Sequence, residues 1–301
     1  MIYMNKKILA IVVAVVLVTC AAVVVLADHL NSNDNTKEKI YVTMSWQQEM
    51  VQEICGDDYE VVSFISAGSS PHGTNVMPST IIGAADASVY FYIGSGVEWE
   101  SKATLTIIAE NCPNLDMINM CEESNIALLE GTEAGEEWDP HVWTSPSNLS
   151  AFAKVVNDTL IEHYPENTET FETGYENYTD KTDEIQNLAD ENLSALGVTE
   201  IVIWHPAWTY LLSPYGIEQN ELMEAMETSL TTEAIGIIND GVEDGKITIY
   251  VASVNDLSVS ETDLENTLGI QITIVEINPL AINWLDYLEY AVNAFSDGME
   301  R

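Results

Sequence analysis

Short apolar segments of strand length alternate with amphipathic segments of helix length, and this alternation restricts the fold more than any other feature of the chain. Strand patterns and helical patterns follow one another from residue 39 onward. Strands that alternate with helices form βα units, and successive βα units build a mostly parallel sheet. In the first half, strands are predicted at 39–44, 59–65, 87–93 and 115–120, and helices at 47–55 and 78–85.

The second half repeats this alternation after a long polar segment. Residues 166–196 are acidic, and their sparse apolar residues recur at spacings of three and four, which predicts a long, exposed helix. A shorter helix precedes it, with Ser147 as its predicted N-cap and Pro165 as its stop. Beyond the long helix, strands are predicted at 200–204, 246–252 and 271–277, and helices near 221–226, 231–240 and 283–295.

The first 38 residues carry targeting information rather than fold. Lys6 and Lys7 precede an apolar run at 8–27, which has the length of about 20 residues that spans a bilayer. Three interpretations remain: an uncleaved anchor, a cleaved signal, or a lipoprotein signal with Cys20 as the lipidated residue. The basic flank predicts that the bulk of the chain lies outside the cytoplasm. The predicted organisation is a signal or anchor (1–27), a flexible stalk (28–38), an N-terminal α/β lobe (39–165), a connecting helix (166–196) and a C-terminal α/β lobe (197–301).

The charge of the chain excludes some partners. Forty-nine acidic residues oppose nine basic ones, for a formal net charge of −40. Such a chain repels nucleic acid and anionic lipid headgroups. An acidic surface is also typical of adaptation to strong salt, where charges are screened over about 3 Å at 1 M. Four cysteines are too few for a disulfide scaffold, although Cys112 and Cys121 could pair and Cys55 reads as a small buried residue.

Three of the five histidines share a context. His72 comes shortly after the strand pattern at 59–65, and His205 directly follows the pattern at 200–204. His141 stands in a loop before a helical pattern. Ligands in open α/β sheets bind beyond the carboxyl ends of strands, and imidazole suits zinc, copper, nickel and iron. The three are therefore candidate ligands that leave one tetrahedral position open; the alternative is three separate loop histidines that cap helices or bond the backbone.

A fourth ligand is expected at another strand end. The strand pattern at 271–277 runs into Asn278, which precedes Pro279. Asn278 could bind the metal, hold a water molecule, or only form the turn. Glu276 lies two residues earlier on the same side of the strand and is the alternative ligand.

Four short segments carry a resemblance to a known family. They are SPHG at 70–73, DPHVW at 139–143, HPAW at 205–208 and NPL at 278–280. In this order and with these separations they resemble the metal-binding segments of the zinc- and manganese-binding solute-binding proteins of ABC transporters. The likeness covers residues 39–301, and the second segment is the most specific.

The resemblance implies two Rossmann-like α/β lobes with mostly parallel sheets, joined by one long rigid helix, with the metal in the cleft. It also implies an extracytoplasmic protein that works with a membrane permease and a cytoplasmic ATPase. The chain departs from the family at Ser70 and Asn278, where Asp is usual, and the second change puts the fourth ligand in question. The loop at 129–138 is acidic and short, whereas some zinc-binding members carry a His-rich loop there.

The ligand set predicts the metal. The family's manganese sites combine two histidines with two carboxylates, so three histidines without an evident carboxylate favour zinc. Manganese, iron, nickel and cobalt are the alternatives. The predicted function is metal-ion binding for an ABC-type importer. Its rivals are a degenerate or structural-metal adhesion protein on the same scaffold, and a zinc hydrolase that would use Asp139 or Glu276 as its general base.

Overall fold

Parallel strands form the centre of the computed structural model of this protein, which describes residues 37–69, 78–131, 136–194, 196–221, 246–252, 265 and 271–299. Within these residues the strands make two four-stranded sheets with the orders β2-β1-β3-β4 and β6-β5-β7-β8. Every neighbouring pair is parallel. The strands are β1 (Glu38–Val42), β2 (Tyr59–Ser63), β3 (Val89–Tyr92), β4 (Asp116–Asn119), β5 (Glu200–Ile203), β6 (Glu218–Glu221), β7 (Lys246–Val251) and β8 (Gln271–Glu276).

Helices connect the strands of the first sheet, and α7 lies between β5 and β6, as parallel pairing requires. The predicted α/β class with parallel sheets is therefore confirmed. The described helices are α1 (Ser45–Cys55), α2 (Pro78–Ala84), α3 (Lys102–Asn111), α4 (Met120–Ser124), α5 (Pro146–His163), α6 (Thr168–Leu193), α7 (Thr209–Leu212) and α8 (Trp284–Met299).

The long helix α6 is a packed element and not the exposed helix that its composition predicts. One stripe along it is buried, and the helix packs against α1, α5 and α8. Gly174 lets α6 approach α1 closely, because a Cβ at this position would lie 2.5 Å from the carbonyl oxygen of Glu53. The acidic residues of α6 therefore occupy only its outer face. The buried stripe consists of Phe171, Gly174, Tyr178, Thr182, Ile185, Ala189 and Leu193.

Several local predictions need correction. The N-cap of α5 is Ser145 and not Ser147, since the Ser145 side chain accepts from the backbone N–H of Asn148. Cys112 and Cys121 are free and buried, so the possible disulfide between them is absent. Strand β6 was not predicted, and it ends at the residue where a helix was expected to begin. Cys55 is buried, as predicted.

Some predictions fall outside the described residues. They concern the N-terminal anchor and stalk up to residue 36, the loop with His72, most of the helix at 221–226 and all of the helix at 231–240. None of the helices in the described part of the chain combines the length and the apolar character needed to cross a bilayer.

Candidate metal centre

His141 sits in a tightly held segment between the acidic loop and α5. It directly precedes the 3₁₀ turn Val142–Thr144, and Ser145 then caps α5, whose first residue is Pro146. Proline is favoured at this helix position because its fixed φ suits the first turn and its missing N–H would have no partner there. The side chain of His141 is almost fully buried, with 4% of the residue exposed.

His205 follows the end of β5 in the second sheet. The backbone N–H of Trp204 still donates to the carbonyl of Tyr250 in β7 at 2.8 Å, so the chain leaves the sheet at His205 itself. Its carbonyl then accepts from the N–H of Ala207 at 2.8 Å, which turns the chain sharply. The half-buried imidazole is thus placed beyond the carboxyl end of a central strand, as predicted.

The two imidazoles converge on one point. The Nε2 atoms of His141 and His205 lie 3.1 Å apart, and their rings are nearly perpendicular, with centroids separated by 5.0 Å. Two nitrogens that each bind a tetrahedral zinc ion at about 2.0–2.1 Å would be separated by about 3.3 Å. The observed separation therefore fits two ligands of one ion.

Asp139 orients the ring of His141. Its Oδ1 accepts from the backbone N–H of His141 and from the ring Nδ1, both at 2.9 Å. A carboxylate only accepts, so Nδ1 carries the proton and the lone pair of Nε2 points towards His205. Burial by itself raises the pKa of Asp139, but the hydrogen bonds from the ring and the backbone of His141 help to hold this pKa below its ordinary value.

The second oxygen of Asp139, Oδ2, is buried and has no hydrogen-bond partner within normal distance and angle. The nearby Thr209 hydroxyl also lowers the pKa of Asp139. Asp139 as a whole is fully buried. Asp139 therefore holds the backbone and the ring of His141 in place.

Two tryptophans join the segment with His141 to the loop that follows β8. The indole Nε1 of Trp143 donates to the carbonyl of Pro279 at 2.9 Å, and that of Trp284 donates to the carbonyl of Trp143 at 3.0 Å. Both side chains are fully buried, where an indole N–H needs a partner. These bonds bring the loop with Asn278 next to the histidine segment.

Asn278 forms a local turn. Its Oδ1 accepts from the backbone N–H of Leu280 at 2.9 Å, and its own backbone N–H donates to the Tyr287 hydroxyl at 2.7 Å. The residue is half-buried. Glu276 is the last residue of β8 and is exposed, and its carbonyl accepts from the hydroxyl of Tyr290. The turn at Asn278 leaves a second lone pair on Oδ1.

The described residues thus bring together two of the predicted imidazoles. His72 lies outside them, so its participation stays a prediction. Among the described residues, no cluster of three or more His, Cys, Asp or Glu side chains is arranged to hold a metal ion. His163 pairs instead with Asp116 at 3.0 Å, where 53% of the Asp116 side chain is exposed.

Sequence patterns did not reveal the residues that hold the imidazoles. From the sequence, Asp139 was considered as the general base of a rival hydrolase, and its bonds to the backbone N–H and the ring of His141 were not foreseen. The link from Trp143 to Pro279 and the contacts of Tyr210 were also missed. The only local signal was that these residues are aromatic or acidic neighbours of the histidine segments.

Two parallel sheets, with the imidazoles of His141 and His205 brought together at 3.1 Å, are the architecture of an α/β binding protein. This chain belongs to the ZnuA family, described as "Zinc-uptake complex component A periplasmic", whose model matches residues 40–298.

Two substrate-binding lipoproteins and one solved domain are similar to this chain over most of its length. The manganese ABC transporter substrate-binding lipoprotein PsaA of Streptococcus pneumoniae serotype 4 is 25% identical over 302 residues, which cover 96% of each chain. The iron ABC transporter substrate-binding lipoprotein MtsA of Streptococcus pyogenes serotype M1 is 27% identical over 194 residues, or 62% of each chain. The Zn(II)-bound ZnuA-like domain of Streptococcus pneumoniae AdcA has the same fold, with a TM-score of 0.71 and 22% identity over 88% of this chain and 100% of that one.

Proposed function

We propose that this protein binds a divalent transition metal, zinc by preference, outside the cytoplasm and delivers it to an ABC-type importer. The ligands are His72, His141 and His205, with Asn278 as the fourth and Glu276 as its alternative. The observation that carries the proposal is the 3.1 Å approach of the two Nε2 atoms, with the ring of His141 held by Asp139. Membership of the ZnuA family supports the same function.

The donor set favours zinc. Imidazole nitrogens suit zinc, whereas manganese prefers oxygen donors. The relatives are named for manganese and iron and the similar solved domain holds zinc, so the scaffold accepts several divalent ions. Three imidazoles and an amide are neutral ligands and do not offset the positive charge of the ion. The preference of each metal for nitrogen donors then decides which ion binds.

The cellular setting follows from the family. The chain is the substrate-binding component of a metal importer and not an enzyme, and its partners are a permease and a cytoplasmic ATPase. The relatives are lipoproteins. Residues 1–27 tether this chain to the outer face of the membrane, either as an anchor or through lipidated Cys20. The segments 39–165 and 197–301 act as two lobes, with the connecting segment between them.

Metal content and ligand substitutions test the proposal. Protein purified without chelator or a histidine tag is analysed for zinc and manganese, and zinc affinity is then measured by competition calorimetry. Alanine at His72, His141 or His205 should each weaken zinc binding at least about tenfold, because each removes a ligand. His163→Ala is the matched control and should bind zinc as the wild type does. Equal affinity in all four variants would contradict the site.

A further inference from the structure

The hydroxyl of Tyr210 connects the two histidine segments. Tyr210 lies in α7, in the turn that follows His205, and only 6% of the residue is exposed. Its hydroxyl donates to the carbonyl of Asp139 at 2.9 Å and accepts from the backbone N–H of Leu129 at 3.0 Å. A buried hydroxyl that both donates and accepts makes full use of its hydrogen-bonding capacity.

This hydroxyl is inserted into a backbone pair. Leu129 and Asp139 face each other at the base of the acidic loop, next to the antiparallel bridge between Glu130 and Trp138. The N–H of Asp139 donates to the carbonyl of Leu129 at 2.9 Å. In a regular antiparallel pair the reverse bond, from Leu129 N–H to Asp139 carbonyl, would also form. Here the Tyr210 hydroxyl stands between these two groups and replaces that bond.

Besides the tryptophan bonds to the loop after β8, two restraints on the segment come from its own side of the molecule. Ser95, which follows β3 of the first sheet, donates from its hydroxyl to the carbonyl of Pro140 at 2.8 Å. The carboxylate of Asp139 holds the backbone and ring of His141. These bonds fix the shape of the segment but do not relate it to His205. The Tyr210 hydroxyl does, because it extends from the helix next to His205.

We propose that Tyr210 is a positioning residue of the metal site, which holds the His141 segment at a fixed distance from His205 through the carbonyl of Asp139. It also fastens the base of the acidic loop to the second sheet. The role of Tyr210 in metal binding rests on the proposed function. Tyr210 touches no metal itself and acts through the two imidazoles.

The test compares Tyr210→Phe with Tyr215→Phe. Each substitution removes a hydroxyl that donates once and accepts once, because Tyr215 donates to Asp190 at 2.7 Å and accepts from Gln186 at 3.0 Å, both on α6. Each keeps the aromatic ring and its packing. Thermal unfolding of the metal-free proteins reports the stability that each loses. Zinc affinity and the visible absorption bands of bound Co²⁺ report the geometry of the site.

We expect Tyr210→Phe to weaken zinc binding about tenfold or more and to alter the Co²⁺ bands, as substitutions around metal ligands do. Tyr215→Phe should lose similar stability and keep the wild-type affinity and bands. A Tyr210→Phe protein with wild-type affinity and bands would overturn the proposal while leaving the proposed function intact. Wild-type protein that fails to bind either metal would overturn both.

Discussion

Replacing Asp139 by Asn tests whether the buried carboxylate tunes the metal ligand. Asn has nearly the same shape as Asp, and its Oδ1 can still accept from the His141 backbone and ring, which now lie 2.9 Å from the carboxylate. The charge is lost. A hydrogen bond to a charged group contributes about 1.5–3 kcal/mol and one between neutral groups about 0.5–1.5 kcal/mol, so the ring bond weakens by about 1–1.5 kcal/mol.

The loss lowers zinc affinity as far as it falls on the metal-bound ring, and about 1.4 kcal/mol there is a factor of ten. A factor of this size agrees with the lower end of the about 10–100-fold effect of substitutions around metal ligands. The Asn amide could also flip. Its NH₂ group would then face Nδ1 of His141 and favour the tautomer with the proton on Nε2, which cannot bind a metal. The expected loss of zinc affinity is therefore at least about tenfold.

Competition calorimetry with a zinc chelator, at neutral pH and high salt, measures this affinity. Asp116→Asn is the matched control, because Asp116 also accepts from a histidine, His163, at 3.0 Å, but with 53% of its side chain exposed. The control should leave zinc affinity unchanged. If Asp139→Asn binds zinc as tightly as the control, the carboxylate does not act through the ring, and the assignment of His141 as a ligand then rests on its approach to His205 alone.

Four further predictions follow from other parts of the structure. Asn278→Asp keeps the turn acceptor and adds a charge beside the site, so it should tighten zinc or manganese binding in calorimetry; an unchanged affinity would mean that this side chain does not face the metal. Gly174→Ala should destabilise the protein by about 1–3 kcal/mol in denaturant unfolding, because the new Cβ would lie 2.5–2.7 Å from backbone atoms of α1 that cannot move aside, and a more stable variant would refute this close contact. Burial raises the pKa of Glu100, against hydrogen bonds from the Gly94 N–H, the Thr43 hydroxyl and the Ile93 N–H that lower it. The stabilising contribution of Glu100 is therefore full below its unfolded pKa of about 4.3 and is lost as pH rises through its higher folded pKa. The unfolding free energy of Glu100→Gln minus that of the wild type should therefore increase from about pH 4 to about pH 7. A difference that stays constant over this range would contradict the raised pKa. Finally, the net charge of −40 should make the melting temperature fall when salt is withdrawn, whereas a melting temperature indifferent to salt would argue against adaptation to brine.

The predicted elements agree with the structure where the sequence pattern is strong. The segment 39–44 is strand β1 with its ends shifted, and the segment 47–55 is most of α1. Strand β6 was missed because its residues, EQNE, carry no apolar alternation. It forms because β5 offers an edge with unpaired N–H and C=O groups, which is a property of the neighbouring strand and not of the EQNE segment.

For the long helix α6, the sequence pattern predicted the element correctly but not which of its residues are buried. Its spacing of apolar residues predicted a helix correctly, but its acidic composition suggested a long, exposed helix. The buried stripe includes Gly174 and Thr182, which no hydrophobicity pattern marks as core positions. They are buried because three other helices pack there, and small residues permit the close approach.

The sequence by itself determined the class of fold and the family. Strand and helix periods are local properties of the backbone and its side chains, so alternating patterns are enough to predict βα units and parallel pairing. The short segments around the histidines are equally local, and they were sufficient to predict the kind of site.

Only the tertiary structure decided how His141 meets His205, since 64 positions separate them and their 3.1 Å approach depends on the packing of both sheets. It also decided that the Tyr210 hydroxyl enters the pair between Leu129 and Asp139. Hydrogen bonds of this kind require positions correct within a few tenths of an ångström. Such accuracy results from the close packing of the whole core, which no short stretch of sequence encodes.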